Sequence, residues 1–518
     1  MAAQFMLIRN TFHSKINRIL IYTLLVLPAL MMQSCLKDQE DIFDEGATER
    51  IERYLSDTEK TLVNSENGWA LDYYPGTYQE YGGYAYALKF TPDTVFVGYE
   101  RSKVVGDVIP TLYRYKKDAG AVLSFDTYNT FMHEFATPSS IKYEADHGDF
   151  EFIIDSVGED KVKLHDKRNG NIMYLRKLSK PYKQYLADLN RLKNNFMMIN
   201  SIGFINGKAV NMSFKGSMAT ITIDKMSKVV PFTFTDEGIR FYQPIDLAGK
   251  TVWEMKYDAT KNTLVAADDQ TVVLSSLIYR LDNSAAQTTA HLAGIQAATV
   301  NPEAADWLHV STSGEQLNIN ASENTTGHMR SATITVSLSD GSSQHITVSQ
   351  CDLTTNIFGY YDLKFMDNEG AEQNVVAKVD NDPVTGGVRL GFKLQFSYYE
   401  YAVYFPAVWD KKTNSLVLTS GSYVGNLATY FLYSIFSDAT GSQITDLTAG
   451  VEARFTFDYT EKPSGAGKTT ATMNGSYTGV PHINGIWLLA FNTQSFVYSK
   501  KNFAGTLTQI LAPVMTKQ

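Results

Sequence analysis

The sequence predicts a mostly β protein with two short helices in its N-terminal part and further β domains after them. The chain has 518 residues, which is too many for one hydrophobic core, so about three domains are expected. Aromatic residues make up 12% of the chain, with 31 Tyr and 28 Phe, and such residues favour pleated strands. Short alternating apolar segments separated by Gly and Pro turn signals recur from Trp69 onward.

Residues 47–282 are predicted to form an N-terminal α+β domain. Ala47–Asn64 and Pro181–Phe196 have apolar residues at helical spacing, and Pro181 suits the first turn of a helix. Strands are predicted between and after these helices, over Trp69–Tyr74, Tyr84–Phe90, Thr94–Tyr99, Ala121–Phe125, Phe150–Asp155, Lys161–His165 and within Val210–Leu281. The order helix, strands, helix, strands suggests two related β halves, although no residue repeat is evident.

Several motifs in this domain are distinctive, namely Ser65–Trp69, Tyr81–Tyr84, Phe125–Asn129 and Gly148–Phe152. With them, the segment from about 45 to 282 resembles the Bacteroidetes lipoprotein family named domain of unknown function 4302. That family has no established activity, so the resemblance implies no catalytic or binding residue.

Residues 283–352 are predicted to form a second β domain. Period-2 alternation predicts strands around Leu317–Ala321, Ala332–Val336 and Ile346–Gln350. Together with Trp307 and Arg330, this pattern from about 287 to 351 resembles the BACON domain (Bacteroidetes-associated carbohydrate-binding, often N-terminal). The resemblance implies an immunoglobulin-like β-sandwich and a carbohydrate ligand, with a spacer role as the alternative. Trp307 is expected in the core of the sandwich rather than on a ligand platform.

Residues 353–518 are predicted to form an antiparallel β-barrel or sandwich. Strand-like segments include Gly359–Tyr361, Val388–Phe396, Tyr401–Phe405, Leu416–Leu418, Ala453–Phe457, Trp487–Phe491 and Phe496–Tyr498. Four tyrosines crowd one turn between two of these strands: Tyr398, Tyr399, Tyr401 and Tyr404. If exposed, their rings could stack on the faces of sugars. The alternative is that strand alternation buries about half of such rings.

The N-terminus has the pattern of an export signal. Arg9, Lys15 and Arg18 precede the apolar run Ile19–Met32, which is shorter than the ~20 residues that a membrane-spanning helix needs. Ser34-Cys35 follows and resembles the lipobox of bacterial lipoproteins. The resemblance implies that residues 1–34 are a signal peptide, that cleavage falls between Ser34 and Cys35, and that Cys35 carries acyl chains such as palmitate. The alternative is a buried cysteine after an N-terminal helix.

Charge patterns extend this prediction. Residues 35–46 form an acidic tether that resembles the surface-export signal of Bacteroidetes lipoproteins, an ordinary solvated tether being the alternative. We therefore expect a lipid-anchored protein of the outer membrane that faces the extracellular side. The net charge is −9 and no basic patch stands out, which argues against nucleic acid as a partner.

The sequence contains few signals of a catalytic, phosphate-binding or metal-binding site. No HExxH, Cys-x-x-Cys or G-x-S-x-G pattern occurs. His133 and His147 are expected to be separate surface residues, Ser464–Thr469 to be a polar loop rather than a phosphate loop, and Asp380 and Asp382 to belong to a turn rather than a calcium site. Cys351 is expected to be a small buried hydrophobe. No metal, cofactor or catalytic residue is predicted.

These observations predict a cell-surface lipoprotein that is not an enzyme and that acts as an accessory binding protein in the capture of carbohydrate or another nutrient. A glycan and a TonB-dependent transporter system are the expected partners beside the membrane. Two alternatives stay open: a structural or adhesion protein in which the BACON-like domain is a spacer, and a hydrolase with an unrecognised site.

Overall fold

The computed structural model describes residues 46–102, 106–118, 120–138, 143–339, 341–396, 399–445, 447, 449–462, 465–477 and 479–518. The predicted signal peptide and the predicted lipidation site at Ser34 and Cys35 lie outside the described residues. Within those residues, no helix has both the length and the apolar character that crossing a membrane requires.

The first half of the N-terminal domain is a helix followed by a closed antiparallel barrel of eight strands. Helix α1 is Ala47–Val63, and the strands are β1 (Trp69–Tyr73), β2 (Tyr84–Phe90), β3 (Thr94–Tyr99), β4 (Val108–Lys117), β5 (Ala121–Phe125), β6 (Glu151–Val157), β7 (Lys161–Asp166) and β8 (Ile172–Lys177). Large side chains such as Trp69, Tyr86 and Phe152 are fully buried in its core. The indole Nε1 of Trp69 donates to the carbonyl oxygen of Leu62 at 3.0 Å, which holds α1 against the barrel.

The second half repeats this layout. Helix α2 is Tyr182–Asn195, and a second closed barrel follows with β9 (Asn200–Ile205), β10 (Lys208–Lys215), β11 (Met218–Ile223), β12 (Met226–Phe234), β13 (Gly238–Leu247), β14 (Lys250–Asp258), β15 (Thr263–Ala266) and β16 (Val273–Ser276). The buried face of α2, Tyr185, Leu186 and Leu189, shares one core with the second barrel and with alanines of β1 and β2. The predicted pair of related β halves therefore corresponds to two barrels, each preceded by a helix.

A buried cluster of charges joins the two barrels. The carboxylate of Asp72 in β1 accepts hydrogen bonds from Arg176 Nε at 3.1 Å and from Arg240 Nη1 at 2.9 Å. Arg240 Nε also donates to Glu254 Oε1 at 2.7 Å. Although burial opposes its charge, the neighbouring Asp72 carboxylate raises the pKa of the Arg240 guanidinium. Because Asp72 and Arg176 belong to the first barrel and Arg240 to the second, this cluster fixes one barrel against the other.

The central domain is a sandwich of two sheets. One sheet has the order β17 (Ile278–Leu281), β23 (Ser343–Gln350), β22 (Arg330–Leu338), β19 (Ile295–Val300), and the other has the order β18 (Ala286–His291), β21 (Gln316–Ala321), β20 (Leu308–Ser313). Strand β17 runs parallel to β23, so the sandwich sheet begins at Ile278, before the boundary predicted at 283. Trp307 is 8% exposed in the sandwich core and lies under the Arg330 guanidinium at 4.4 Å, as expected of a core residue.

The C-terminal domain is a barrel with a side branch. Its strands are β24 (Gly359–Met366), β25 (Glu372–Asn381), β26 (Val388–Phe396), β27 (Tyr399–Asp410), β28 (Ser415–Thr419), β29 (Tyr423–Leu427), β30 (Tyr430–Ser437), β31 (Glu452–Lys462), β32 (Gly465–Asn474), β33 (Gly485–Phe491) and β34 (Phe503–Lys517). Pairing of β24 with β34 closes a ring through β25, β26, β27, β28, β31 and β32. Strands β33, β30 and β29 extend from β34 as a branch. The chain is therefore mostly β, with a sandwich at its centre and a C-terminal barrel, as predicted.

The domains pack directly against one another. Ile202 of the second barrel belongs to the sandwich core, and Cys351 at the end of the sandwich belongs to the C-terminal core. The rings of His328 and Tyr459 stack across the second junction with their centroids 3.8 Å apart. Burial raises the pKa of the Cys351 thiol to about 12, which fits its predicted role as a small buried hydrophobe.

Candidate ligand-binding site

The four tyrosines predicted as stacking platforms do not form one exposed group. Tyr398 lies outside the described residues, and of Tyr399 only the backbone, at the start of β27, is described. Tyr401 is 6% exposed in the barrel core, where it cannot stack on a ligand, and Tyr404 is 45% exposed on the outer face. Alternation along β27 explains the split, because residues three apart on a strand point to opposite faces. The prediction for Tyr401 therefore needs correction, and Tyr404 is the exposed member.

Tyr404 has a partner that sequence reasoning missed. The pairings Tyr360↔Lys378, Lys378↔Gly391 and Gly391↔Tyr404 place these four residues in one row across β24, β25, β26 and β27. Tyr360, at the other end of the row, is 53% exposed. Three strand spacings of about 4.8 Å separate the two tyrosine strands by roughly 14 Å. The alternation of Gly359-Tyr360-Tyr361 in the sequence was the available signal, since one of two adjacent tyrosines on a strand must face outward.

Charged side chains hold the two rings in place. The Arg389 guanidinium lies 4.6 Å from the Tyr404 ring centroid, and Lys378 Nζ lies 5.4 Å from that of Tyr360. Both cations contact Asp380, with Arg389 Nε at 2.8 Å from Oδ1 and Lys378 Nζ at 3.0 Å from Oδ2. Burial opposes ionisation of Asp380, yet the hydrogen bonds from Arg389 and Lys378 lower the pKa of its carboxyl below the ordinary value. We call the set Tyr360, Lys378, Asp380, Arg389 and Tyr404 the tyrosine row.

A cleft of about 650 Å³ opens at the adjoining end of this barrel. Its lining comes from β24, β25 and the turn between them and from β26, β27 and β34, and includes Phe365, Asp367, Asn368, Glu369, Gln373, Val375, Val376, Lys393, Leu394, Gln395, Glu400, Leu507 and Thr508. Amides, carboxylates and a hydroxyl thus alternate with apolar side chains, a mixture that suits a polar ligand with some apolar faces. We call this space the barrel cleft.

Some polar side chains of the barrel cleft form hydrogen bonds or ion pairs within the protein, and others do not. Asp367 accepts from the backbone N–H groups of the turn and from Gln373 Nε2 at 2.7 Å, and these bonds, led by that from Ala371 N–H, lower the pKa of its carboxyl. Lys393 Nζ contacts Glu400 Oε2 at 2.7 Å. Within the part of the chain that the structure describes, the side chains of Asn368, Glu369 and Thr508 have no hydrogen-bond partner. These side chains could therefore bind a ligand.

The barrel cleft and the tyrosine row are continuous. Val376 and Lys393 line the cleft, and they lie two residues from Lys378 and Gly391 along the same strands. Two residues along a strand span about 6.6 Å on one face. A ligand longer than one sugar ring could therefore occupy the cleft and extend over the row.

The weak motifs of the sequence have ordinary structural roles. His133 is not a surface residue as predicted: it is 8% exposed, and its ring stacks on Phe150 with centroids 4.4 Å apart. Ser464 lies outside the described residues, and Gly465–Thr469 belong to strand β32 rather than to the predicted polar loop; a phosphate loop would require a helix at this point. Asp382 accepts from Val384 N–H at 2.9 Å within a turn. Among the described residues, no group of three metal-ligating side chains comes together.

The fold and the cleft define a class: a β protein of barrels and a sandwich, with a polar cleft in its last domain. Family comparisons then name two of its parts. Residues 39–259 match the family described as "Domain of unknown function (DUF4302)", which covers the first barrel and most of the second, and residues 297–350 match the BACON family, described as "Putative binding domain, N-terminal". Both resemblances seen in the sequence are thereby confirmed. No curated protein and no solved structure matches the chain. The domain that contains the barrel cleft lies outside both family matches.

Proposed function

We propose that this protein is an outer-membrane lipoprotein, anchored through acyl chains on Cys35 and facing the extracellular side, that binds carbohydrate or another polar nutrient without converting it. The observation that carries the binding role is the barrel cleft together with the tyrosine row. The match of residues 297–350 to a putative binding domain supports a binding role in general.

Carbohydrate suits this surface for two reasons. Sugars present many hydroxyl groups, which pair with amides and carboxylates such as those of Asn368 and Glu369. They also present apolar C–H faces, which pack on exposed aromatic rings such as those of Tyr360 and Tyr404. The two rings are held by cations, so little side-chain freedom is lost on binding.

The charge of the barrel cleft limits the class of ligand that it can bind. Asp367, Glu369 and Glu400 contribute three negative charges and Lys393 contributes one positive charge, which leaves a formal −2. A neutral or cationic saccharide is therefore favoured over one rich in uronate or sulfate groups, because like charges repel at close range. A TonB-dependent transporter system is the proposed recipient of the captured nutrient.

A second candidate function is a spacer or adhesion protein, and one observation favours it. The sandwich packs on the second barrel through Ile202 and on the C-terminal domain through Cys351, so it lies between the two, which also touch where Lys412 donates to the carbonyl oxygen of Lys193. In that case no ligand would be needed, and the tyrosine row would be ordinary sheet surface.

A glycan array decides between the two candidates. The soluble chain that begins after Cys35 is screened as wild type, as Tyr404→Ala and Tyr360→Ala, and as Glu369→Gln. Tyr78→Ala is the matched control, because Tyr78 is 83% exposed in the first barrel. We expect binding to a neutral glycan that falls at least tenfold in the three site variants and is unchanged in the control. Absence of binding to all glycans would favour the spacer.

The anchor is tested separately. We expect the full chain to incorporate labelled palmitate and to fractionate with outer membranes, and Cys35→Ala to lose both properties. Palmitate incorporation that persists in Cys35→Ala would show that the acylated residue has been assigned wrongly.

A further inference from the structure

A second cleft lies at the junction of the second barrel and the sandwich. It has a volume of about 370 Å³ and is lined by β9, β10 and β11 of the barrel and by β17 and β23 of the sandwich. The lining residues are Asn200, Ser201, Asn211, Met212, Ser213, Thr220, Thr222, Leu277, Ile278, His345 and Thr347. We call this space the junction cleft. Ligand sites occur preferentially at such domain junctions.

Among the residues that the structure describes, the lining of the junction cleft holds no carboxylate, ammonium or guanidinium group. Its polar groups are hydroxyls, amides and one imidazole, in contrast to the four charged side chains of the barrel cleft. A charged ligand that entered here would lose its hydration without gaining an opposite charge, which is costly. The cleft therefore selects uncharged ligands.

Register brings the polar groups of the barrel side together. Asn211 pairs with Thr222, and Ser213 pairs with Thr220, so all four side chains share one outer face of the β10–β11 hairpin. Thr222 is engaged with Ser227 Oγ at 2.8 Å. In the described parts of the chain, the side chains of Asn211, Ser213 and Thr220 have no hydrogen-bond partner.

The sandwich side completes the cleft. Thr347 on β23 pairs with Ile278 on β17, and the Thr347 side chain likewise has no hydrogen-bond partner among the described residues. Leu277 and Ile278 are half-buried and give the same space an apolar wall. Hydroxyl and amide groups beside an apolar wall match a ligand whose hydroxyls point one way and whose C–H groups point another.

We propose that the junction cleft is a second binding site, for a neutral, hydroxyl-rich ligand of the oligosaccharide class. Asn211, Ser213 and Thr220 would bind it from the barrel and Thr347 from the sandwich, so the site exists only when the two domains are packed together. This proposal does not depend on the barrel cleft, whose lining differs in carrying four charged side chains.

Isothermal titration of the chain that begins after Cys35 tests the proposal. The probes are maltotriose, cellotriose and mannotriose, with digalacturonate as a charged comparison. We expect at least one neutral trisaccharide to bind, and Thr220→Val and Thr347→Val each to weaken its affinity at least tenfold. Thr→Val keeps the side-chain shape while removing the hydroxyl group. Thr312→Val, on an exposed position of the sandwich, should leave this affinity within twofold. Glu369→Gln is measured beside these variants to detect a trisaccharide that binds in the barrel cleft instead.

Three results would overturn the proposal: binding by none of the trisaccharides, binding that both valine variants leave intact, or digalacturonate binding that the valine variants weaken equally. If trisaccharide affinity falls only in Glu369→Gln, the junction cleft is not a site and the barrel cleft is supported instead. Hydrogen exchange of the β10–β11 and β23 amides provides a second readout: protection by the trisaccharide in both segments is expected, and protection in neither would contradict the assignment.

Discussion

Asp72 allows a sharp test of how the two N-terminal barrels are held together. Its side chain is 3% exposed, and the guanidinium groups of Arg176 and Arg240, 19% and 12% exposed, both bind it. Substitution Asp72→Asn keeps the shape of the side chain but removes the negative charge between two cations. Arg240 would retain Glu254, whereas Arg176 has no other carboxylate partner among the described residues and already has a buried, unpartnered Nη2.

The expected loss of stability in Asp72→Asn follows from the burial of the Asp72 side chain. Removal of one member of a buried ion pair costs about 3–5 kcal/mol, because a charge is left in a low-dielectric site. Because Arg240 keeps one partner, we expect the lower end, about 3 kcal/mol, or roughly a hundredfold in the opening equilibrium. The matched control is Glu237→Gln, whose partner Lys256 lies at 2.8 Å while both side chains are more than half exposed. An exposed pair contributes at most about 1 kcal/mol.

Hydrogen exchange measures both variants in the segments concerned. The amides of β1 and β13 report the free energy of local opening at the junction of the barrels. We expect that free energy to fall by about 3 kcal/mol in Asp72→Asn and by less than about 1 kcal/mol in Glu237→Gln. A loss in Asp72→Asn no larger than in the control would refute the view that this charge cluster joins the barrels.

Three further predictions concern single residues. Burial lowers the pKa of Lys412 to about 8, below the ~10.4 of an unfolded lysine. Between these two values the unfolded state binds more protons, so the free energy of unfolding rises with pH. Lys412→Met should flatten that rise in urea titrations between pH 7.5 and 10, and equal slopes in variant and wild type would contradict the prediction. Because the Cys351 thiol is buried and its pKa is raised, Cys351 should resist a thiol reagent at pH 8 in the native protein and react fully in urea. Rapid labelling of the native protein would contradict this burial. A Cβ at Gly391 would lie 2.7 Å from Tyr404 Cδ1, so Gly391→Ala should displace that ring and weaken glycan binding about as much as Tyr404→Ala. Gly387→Ala is the control, because the nearest atom to its Cβ lies at 3.4 Å, and it should leave binding unchanged. Unchanged binding in Gly391→Ala would show that Tyr404 is not part of the site.

Local signals allowed much of the fold to be predicted. The strands Tyr84–Phe90, Thr94–Tyr99 and Ala121–Phe125 were predicted with the observed bounds, because glycines, prolines and polar residues interrupt the apolar alternation on both sides of each strand. Both helices were placed within one residue at each end. Barrel closure was beyond such signals, because it depends on pairings such as β1 with β8 that are far apart in the sequence.

One predicted strand shows the limit of apolar patterns. Phe496–Tyr498 has the residues of a strand but lies in a loop between β33 and β34. The Asn502 side chain satisfies that loop locally: its amide donates to the carbonyl oxygens of Ser495 and Val497, each at 2.9 Å. Phe496 meanwhile packs against Tyr433 and Phe491 in a small core of the branch. Val497 and Tyr498 are 62% and 59% exposed, and the Asn502 side chain takes the place of a neighbouring strand as hydrogen-bond partner.

The candidate sites were harder to predict than the fold. Tyr404 was identified from a cluster within one hairpin, but Tyr360 faces it only because three strand pairings place both on one row. The junction cleft is built from Asn211 and Thr347, which belong to different domains and carry no motif. Uncharged polar residues are common on strand surfaces, so only their convergence distinguishes them, and convergence is a property of the packed domains.

Strand β34 makes the C-terminal barrel dependent on its final segment. This one strand pairs with β24, β32 and β33, so the ring and the branch both remain open until residues 503–517 arrive. During synthesis from the N-terminus, the two N-terminal barrels can fold while the C-terminal barrel still has three unpaired strand edges. Such edges favour aggregation. Premature termination near residue 500 would therefore do more than shorten the protein: it would leave two complete barrels joined to an incomplete third whose strand edges are exposed.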